Sequence, residues 1–289
     1  MILLEGKTLS GQILADTALR AGGIAARRGR RPKLAIINYY PDSASAVYVR
    51  NKVSACKKAG IDTQIYVPPE SDGYAGFREL VSRLGSDSGT DAIMIERPLP
   101  AGFDRPEIWD ILPYRKDPDG LSTVNAGRLF TARRFSDISS GDFFAPCTAL
   151  AVMRILAFYK YELKGKKIAV VGRSNIVGKP LALMLTAADA TVTVCHTRTT
   201  GLAETLGNSD IIVSAAGRAR MLGPALIPEG AVVIDVGTNI DEDGKMCGDV
   251  DFDGVKDRVS AVTPVPGGVG PVTKALLLEA AVRAAEMNL

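Results

Sequence analysis

The sequence predicts an α/β protein of two domains around a cleft, and three observations carry that expectation. Short apolar runs rich in β-branched residues alternate with helical stretches, the pattern of parallel strands joined by helices. The alternation breaks once, over residues 113–142, where Gly, Asp, Ser and Arg replace any clean period. The 289 residues suffice for two domains or one large α/β unit.

In chain order, a helical stretch over 7–29 precedes "KLAIINYY" (33–40), and further helices are expected over 44–60 and 74–85. "TQIYVPP" (63–69) and "AIMIERP" (92–98) complete the first series, and all three runs are expected as buried strands. After the break, "PCTALAVMRILAFYKYEL" opens a helix with Pro146 and Thr148 near its start. A second series follows in "KIAVVG" (167–172), "TVTVCH" (191–196), "DIIVSAAG" (210–217) and "AVVIDVG" (231–237). The segment after Pro271 is an amphipathic helix expected to pack back on the first domain. The expected division is 1–142 plus 271–289 for the first domain and 143–270 for the second.

Composition narrows the function. Hydrophobic residues make up 46% and charged residues 23%, ordinary for a globular chain. The net charge of +3, from 35 basic and 32 acidic residues, is too small for a nucleic-acid partner but leaves an anionic small molecule open. Cys56, Cys147, Cys195 and Cys247 form no Cys-x-x-Cys pair, so neither a metal site nor a disulfide framework is expected, and a reducing cytoplasm is the default. The few apolar residues before Glu5 make no signal peptide, and no run approaches the ~20 residues of a membrane span.

"IAVVGRSNIVGKPLALML" joins a hydrophobic strand to a helix through a turn bearing Gly172 and Gly178. Such a turn aims backbone N–H groups and the positive helix end at an anion, usually a phosphate. The Gly-x5-Gly spacing is neither the three-glycine Rossmann fingerprint nor a Walker loop, and a plain tight turn remains the alternative. About 20 residues on, an NAD site places an acid against the ribose hydroxyl. Here "CHTRTT" offers Thr197 and Arg198 instead, and Arg173 adds a cation to the turn. Two guanidiniums suit a 2′-phosphate, so the second domain is expected to be a Rossmann-type parallel sheet for NADP. His196 is the sole histidine, and a serine triad has no support.

In "VYVRNKVSACKKAGI" (47–61), Tyr48 and Lys52 stand four apart on one helix face, whereas Lys57 and Lys58 fall on the solvent side. Alone, Lys52 reads as a surface ammonium.

That stretch, with "RPLP", "KDPDGLSTVNAGRL", "PCT", "GKKIAVVGRSNIVGKPLALML", "ATVTVCHTRT", "VVIDVGTN", "GDVDF" and "TPVPGGVGPVT", closely resembles the bifunctional methylenetetrahydrofolate dehydrogenase/methenyltetrahydrofolate cyclohydrolase (FolD) family. The resemblance covers essentially the whole chain in family order. It implies NADP-dependent oxidation of 5,10-methylenetetrahydrofolate, hydrolysis of the methenyl product to 10-formyltetrahydrofolate, tetrahydrofolate derivatives in the interdomain cleft, and a homodimer. It makes Lys52 the catalytic lysine, which must hold and move a proton near the one-carbon bridge. Tyr48 would stack on the folate and help fix the ammonium. Asp119 would bind the pterin by paired hydrogen bonds, although a turn-forming role before Gly120 is open and suits Asp117 better. Gly172, Arg173, Ser174, Thr197, Arg198 and Thr238 would bind cofactor. Pro266, Gly267 and Gly268 would face folate and nicotinamide, with glycines allowing close backbone approach.

Three departures stand out. The family strand usually ends "QLPLP", whereas this chain has "ERPLP", with Glu96 for the glutamine that bonds the catalytic lysine. A carboxylate there favours the ammonium and opposes base catalysis, unless Arg97 neutralises Glu96 or Glu96 itself takes the proton. A dehydrogenase with weak or absent cyclohydrolase is therefore the alternative function. Second, "YYPDSAS" (39–45) replaces the usual "VGDDPAS"; either the turn is rebuilt or the cleft rim is reshaped, for instance for a tetrahydromethanopterin-type carrier. Third, Thr238 stands where Ile is usual.

Overall fold

The structure, a computed structural model, describes residues 1–41 and 46–288, and the side chains of residues 46–48 also fall outside what it describes. The expected stacking role of Tyr48 and most of the 42–45 turn therefore lie outside the described residues. Two compact units form, one of Gly11–Arg128, Gly141–Ala145 and Lys274–Leu289, the other of Met1–Ser10, Leu129–Ser140 and Pro146–Thr273. Residues 1–10 and 129–140 thus group with the second series of strands, where the sequence set them with the first.

The strands are β1 (Ile2–Leu3), β2 (Lys33–Ile37), β3 (Asp62–Tyr66), β4 (Ala92–Ile95), β5 (Lys167–Val171), β6 (Thr191–Cys195), β7 (Ile211–Ser214), β8 (Val232–Asp235), β9 (Asn239–Ile240), β10 (Met246–Cys247) and β11 (Ala261–Val262). The first unit holds a three-stranded sheet in the order β3-β2-β4, and the second a six-stranded sheet in the order β1-β11-β8-β7-β5-β6. Pairing in both is parallel throughout the described residues. β9 and β10 form a separate antiparallel pair.

In the first unit, β2 and β4 are almost wholly buried, as their unbroken apolar runs require. Ala35, Ile37, Ile93 and Ile95 pack against Phe77, Leu80, Val81 and Leu84 of the helix Gly73–Ser86. β3 differs from the expected buried strand. It is a sheet edge whose Asp62-Thr-Gln-Ile-Tyr sequence alternates polar residues outward, and Ile65 stays 45% exposed.

Tyr39 follows β2 into this core. It is 6% exposed and meets Phe77 and Phe103 edge-on at 5.7 and 5.5 Å. Burial therefore rules out the rim role for Tyr39. Tyr40 is only partly buried, with Glu70 hydrogen-bonded at its side chain. The Tyr39 and Tyr74 hydroxyls are both buried without a hydrogen-bond partner. Burial, with Asp72 and Glu70 nearby, pushes the Tyr39 phenol up to about 12.

In the second unit, β5, β7 and β8 are buried between helices, while β6 is an exposed edge. A core of Ala169, Val171, Ile212, Val233 and Val262 is closed by Leu206, Leu222 and Val255. The two-residue strands β1 and β11 extend the sheet beyond β8 and are too short to show a period.

An unpartnered buried hydroxyl costs about 1 kcal/mol or more. Tyr39→Phe is accordingly expected to raise unfolding free energy by about 1 kcal/mol; equilibrium denaturation showing a loss would contradict it.

Candidate active site

Sheet topology gathers the cofactor candidates of the second unit. Residues 172–174 follow β5, 197–198 follow β6, Thr238 follows β8 and 266–268 follow β11, so all sit at the carboxyl ends of parallel strands. β5 has β6 on one side and β7 on the other, which places a change of winding direction at Gly172. In open α/β sheets this is where ligands bind.

The glycine turn is built on close approach. Gly172 adopts φ +134° and donates its N–H to the Cys195 carbonyl at 2.9 Å. A methyl group on Gly178 would overlap the Gly172 carbonyl oxygen, so both positions require glycine. Gly178 opens the helix Gly178–Ala187, and the Ser174 hydroxyl accepts from the Val177 N–H at 3.1 Å. Arg173, Ser174, Thr197 and Arg198 are exposed. Among the described residues neither Arg173 nor Arg198 makes an ion pair, leaving two guanidiniums available to an anion. His196 is a turn residue, its Nδ1 accepting from the Arg198 N–H at 3.1 Å and its own N–H donating to Thr199 Oγ1 at 2.8 Å.

Two buried aspartates, unassigned by the sequence, fix these loops. Asp249, fully buried, accepts from Ser214 Oγ, the N–H groups of Ala216, Gly217 and Arg218, and Asn239 Nδ2, at 2.7–3.2 Å. Asp235 accepts from the N–H groups of Gly237, Asp249 and Val250 at 2.9–3.1 Å. Burial pushes Asp235 up to about 6, against the lowering effect of those donors. Thr238 thereby sits exposed on an anchored turn. "VVIDVG" carries the available signal, an acid closing an otherwise apolar buried strand.

The 266–268 loop is tied to the chain start. Gly6 donates to the Gly267 carbonyl at 2.9 Å, and a methyl group on Gly6 would overlap the Gly268 carbonyl oxygen. Gly268 itself is buried against Thr263 and Pro264, so packing within the unit also demands that glycine. Pro266 is exposed and Gly267 has φ +116°.

In the first unit, the helix Ala46–Lys58 carries Lys52 to the carboxyl end of β4, where Glu96 continues the ladder by donating to the Ile37 carbonyl. Lys52 Nζ lies 2.6 Å from Glu96 Oε2, the two side chains 23% and 10% exposed. Of the two alternatives for Glu96, neutralisation by Arg97 does not occur. Arg97 turns the other way, as the next residue of an extended chain must, and pairs with Asp104 at 2.6 Å over the Trp109 ring. Glu96 is left to Lys52.

Asp119 is partly buried on a loop braced from beneath. Asp117, fully enclosed and pushed upward by burial, accepts from the Ser122 N–H at 2.6 Å and Asn125 Nδ2 at 2.9 Å. Asn125 accepts in turn from the Phe144 N–H at 3.1 Å. Asp117 is thus the turn former.

A phosphate-type glycine turn at a switch point in one unit, and an ion-paired lysine at a strand end in the other, define a two-unit nucleotide-binding α/β enzyme. Residues 4–119 match the tetrahydrofolate dehydrogenase/cyclohydrolase catalytic domain, and residues 146–289 match the NAD(P)-binding domain of the same enzymes. The chain belongs to the tetrahydrofolate dehydrogenase/cyclohydrolase family. The bifunctional protein FolD of Elusimicrobium minutum is 43% identical over 288 residues, covering 100% of both chains. The crystal structure of the bifunctional FolD enzyme of Campylobacter jejuni, 38% identical, superposes with a TM-score of 0.93 over 100% of each chain. The Trypanosoma brucei enzyme, solved with NADP and an inhibitor, is 33% identical with a TM-score of 0.89 over 99% and 98% of the two chains.

The raised Asp235 has a signed consequence. The native state holds this proton more tightly than the unfolded chain, so the contribution is complete below about pH 4 and disappears as pH rises through about 6. The melting-temperature difference between parent and Asp235→Asn should shift against the parent between about pH 4 and pH 7. A pH-independent difference in thermal melts would refute it.

Proposed function

We propose that this chain oxidises 5,10-methylenetetrahydrofolate with NADP to the 5,10-methenyl cation and then hydrolyses it to 10-formyltetrahydrofolate. The single observation that carries the reading is Lys52, partly buried and held 2.6 Å from Glu96 within a matched catalytic domain. NADP, when bound, supplies the hydride acceptor. The Gly172–Ser174 turn and helix end would hold its pyrophosphate, Arg173 and Arg198 the 2′-phosphate, Thr197 the adjoining ribose, and Thr238 the nicotinamide edge. Asp119 accepts paired hydrogen bonds from the pterin amino group and ring N–H. Tyr48 stacks on the folate, and Pro266, Gly267 and Gly268 border it.

Lys52 orients the one-carbon bridge during hydride loss. In the second step water adds to the cationic carbon, the bond from this carbon to N5 opens with one of the water's protons passing to N5, and the other proton is released. Lys52 and Glu96 handle that proton. The Lys52–Glu96 pair also favours the second reading, a dehydrogenase with weak cyclohydrolase, because an ammonium locked to a carboxylate is a poor base. The proposal extends to a homodimer feeding purine biosynthesis in the cytoplasm, and four buried cysteines outside any disulfide suit that reducing compartment.

The test is a spectrophotometric assay of methylenetetrahydrofolate with NADP and NAD, following the methenyl product. Turnover should favour NADP, and replacing Arg173 and Arg198 by Ala should raise the KM for NADP at least ~10-fold with little change for NAD, each charge-assisted contact being worth roughly 1.5–3 kcal/mol. Equal loss with both cofactors would count against the 2′-phosphate assignment. On the second reading methenyl product accumulates in the parent, and Glu96→Gln speeds its hydrolysis at neutral pH. A variant no faster than the parent would remove that reading.

A further inference from the structure

The loop after β7 is a short excursion above the carboxyl edge of the six-stranded sheet. It starts where the Ala215 N–H donates to the Val171 carbonyl at 2.8 Å and ends where the Arg220 N–H donates to the Gly248 carbonyl at 3.0 Å. Gly217 turns the chain between them with φ +66°. The loop abuts the glycine turn, since a methyl group on Gly172 would overlap the Ala215 carbonyl oxygen. The N–H groups of Ala216, Gly217 and Arg218 all go to Asp249, so the loop has side chains rather than these amides to offer a ligand. It carries two arginines. Arg220 pairs with Asp241 at 2.9 Å, whereas among the described residues the exposed Arg218 guanidinium has neither an ion pair nor a hydrogen bond.

Strand order gives this arginine its place. Along the carboxyl edge the strands run β6, β5, β7, β8. The cofactor groups assigned above follow that order, with the adenosine ribose at the end of β6, the pyrophosphate at the β5 turn and the nicotinamide at Thr238 after β8. Neighbouring strands stand about 4.8 Å apart, so β6 to β8 spans about 14 Å, a distance that an extended dinucleotide bridges. Arg218 rises from the end of β7, between the glycine turn and the nicotinamide edge. The group that a dinucleotide presents there is the phosphate on its nicotinamide side. Charge points the same way. Asp249 and Asp235 are buried beneath this edge, and an anion held above two carboxylates needs a countercharge. A guanidinium supplies it and also matches a phosphate with paired N–H donors.

We infer that Arg218 binds the nicotinamide-side phosphate of the cofactor, a contact made equally by dinucleotides with and without a 2′-phosphate. The inference rests on the cofactor reading proposed above. Arg173 and Arg198 then choose between NADP and NAD, while Arg218 holds what the two share. One charge-assisted contact of this kind is worth about tenfold in affinity, and it weakens as ionic strength rises.

Calorimetric titration, which needs no turnover, separates these roles with NADP and two fragments of it. ADP-ribose carries both bridging phosphates and no 2′-phosphate. Adenosine 2′,5′-bisphosphate carries the 2′-phosphate and the adenosine-side phosphate, and lacks the nicotinamide-side one. Arg218→Gln should weaken ADP-ribose and NADP about tenfold and leave the bisphosphate within about twofold of the parent. The Arg173→Ala/Arg198→Ala double variant should show the reverse, losing the bisphosphate and keeping ADP-ribose. Thermal melts without ligand establish that both variants are folded. If Arg218→Gln binds ADP-ribose as tightly as the parent does, or loses the bisphosphate to the same degree, the assignment of Arg218 is overturned. A parent that binds none of the three ligands instead overturns the cofactor reading, and the role of Arg218 with it.

Discussion

The carboxylate of Asp249 is the constraint on which the second unit's working surface depends. Its five donors come from the end of β7, the 216–218 loop that follows it, and Asn239 beyond β8. Backbone N–H groups at the carboxyl ends of buried strands need acceptors once water is excluded. Asp249 provides them at one end and Asp235 at the next, and the two are linked because the Asp249 N–H donates to Asp235 at 3.1 Å. Neither oxygen pair is free to meet a ligand. Their effect is to hold Thr238 and the β7 turn in place, at the cost of burying two acids side by side.

In the first unit the same economy appears in a different form. Asp117 gathers Ser122 and Asn125 beneath the loop that also carries Asp119, which is partly buried. Gly120 closes that loop so tightly, at φ +64°, that a methyl group would meet the Ala145 backbone. Each unit thus uses a buried, satisfied carboxylate for support and leaves a more accessible polar group on the same turn.

Much of this was legible in the sequence because it is periodic or local. Unbroken apolar runs located β2, β4, β5, β7 and β8, and the Gly-x5-Gly spacing located the turn at 172 with the helix after it. What escaped was set by partners far along the chain. β1 and β11 are two residues each; β1 pairs only with β11, some 260 positions along the chain, and β11 is held between β1 and β8. That β3 would lie at an edge depends on strand order, which composition does not encode. The bracing aspartates look like any turn acid until the loops they hold are in place. That Arg97 pairs with Asp104 over Trp109, and not with Glu96, depends on a loop beyond the strand that the local sequence does not place.

The ion pair at position 52 also sets the charge that a substrate encounters. A lysine beside a neutral amide presents a full positive charge, whereas Lys52 with Glu96 presents a dipole of zero net charge. Removing hydride from a methylene carbon creates a cation, and like charges nearby raise the energy of that event. The proposed reading of a dehydrogenase with weak cyclohydrolase rests on that difference in charge: a neutral pair tolerates a carbocation that a lone ammonium repels.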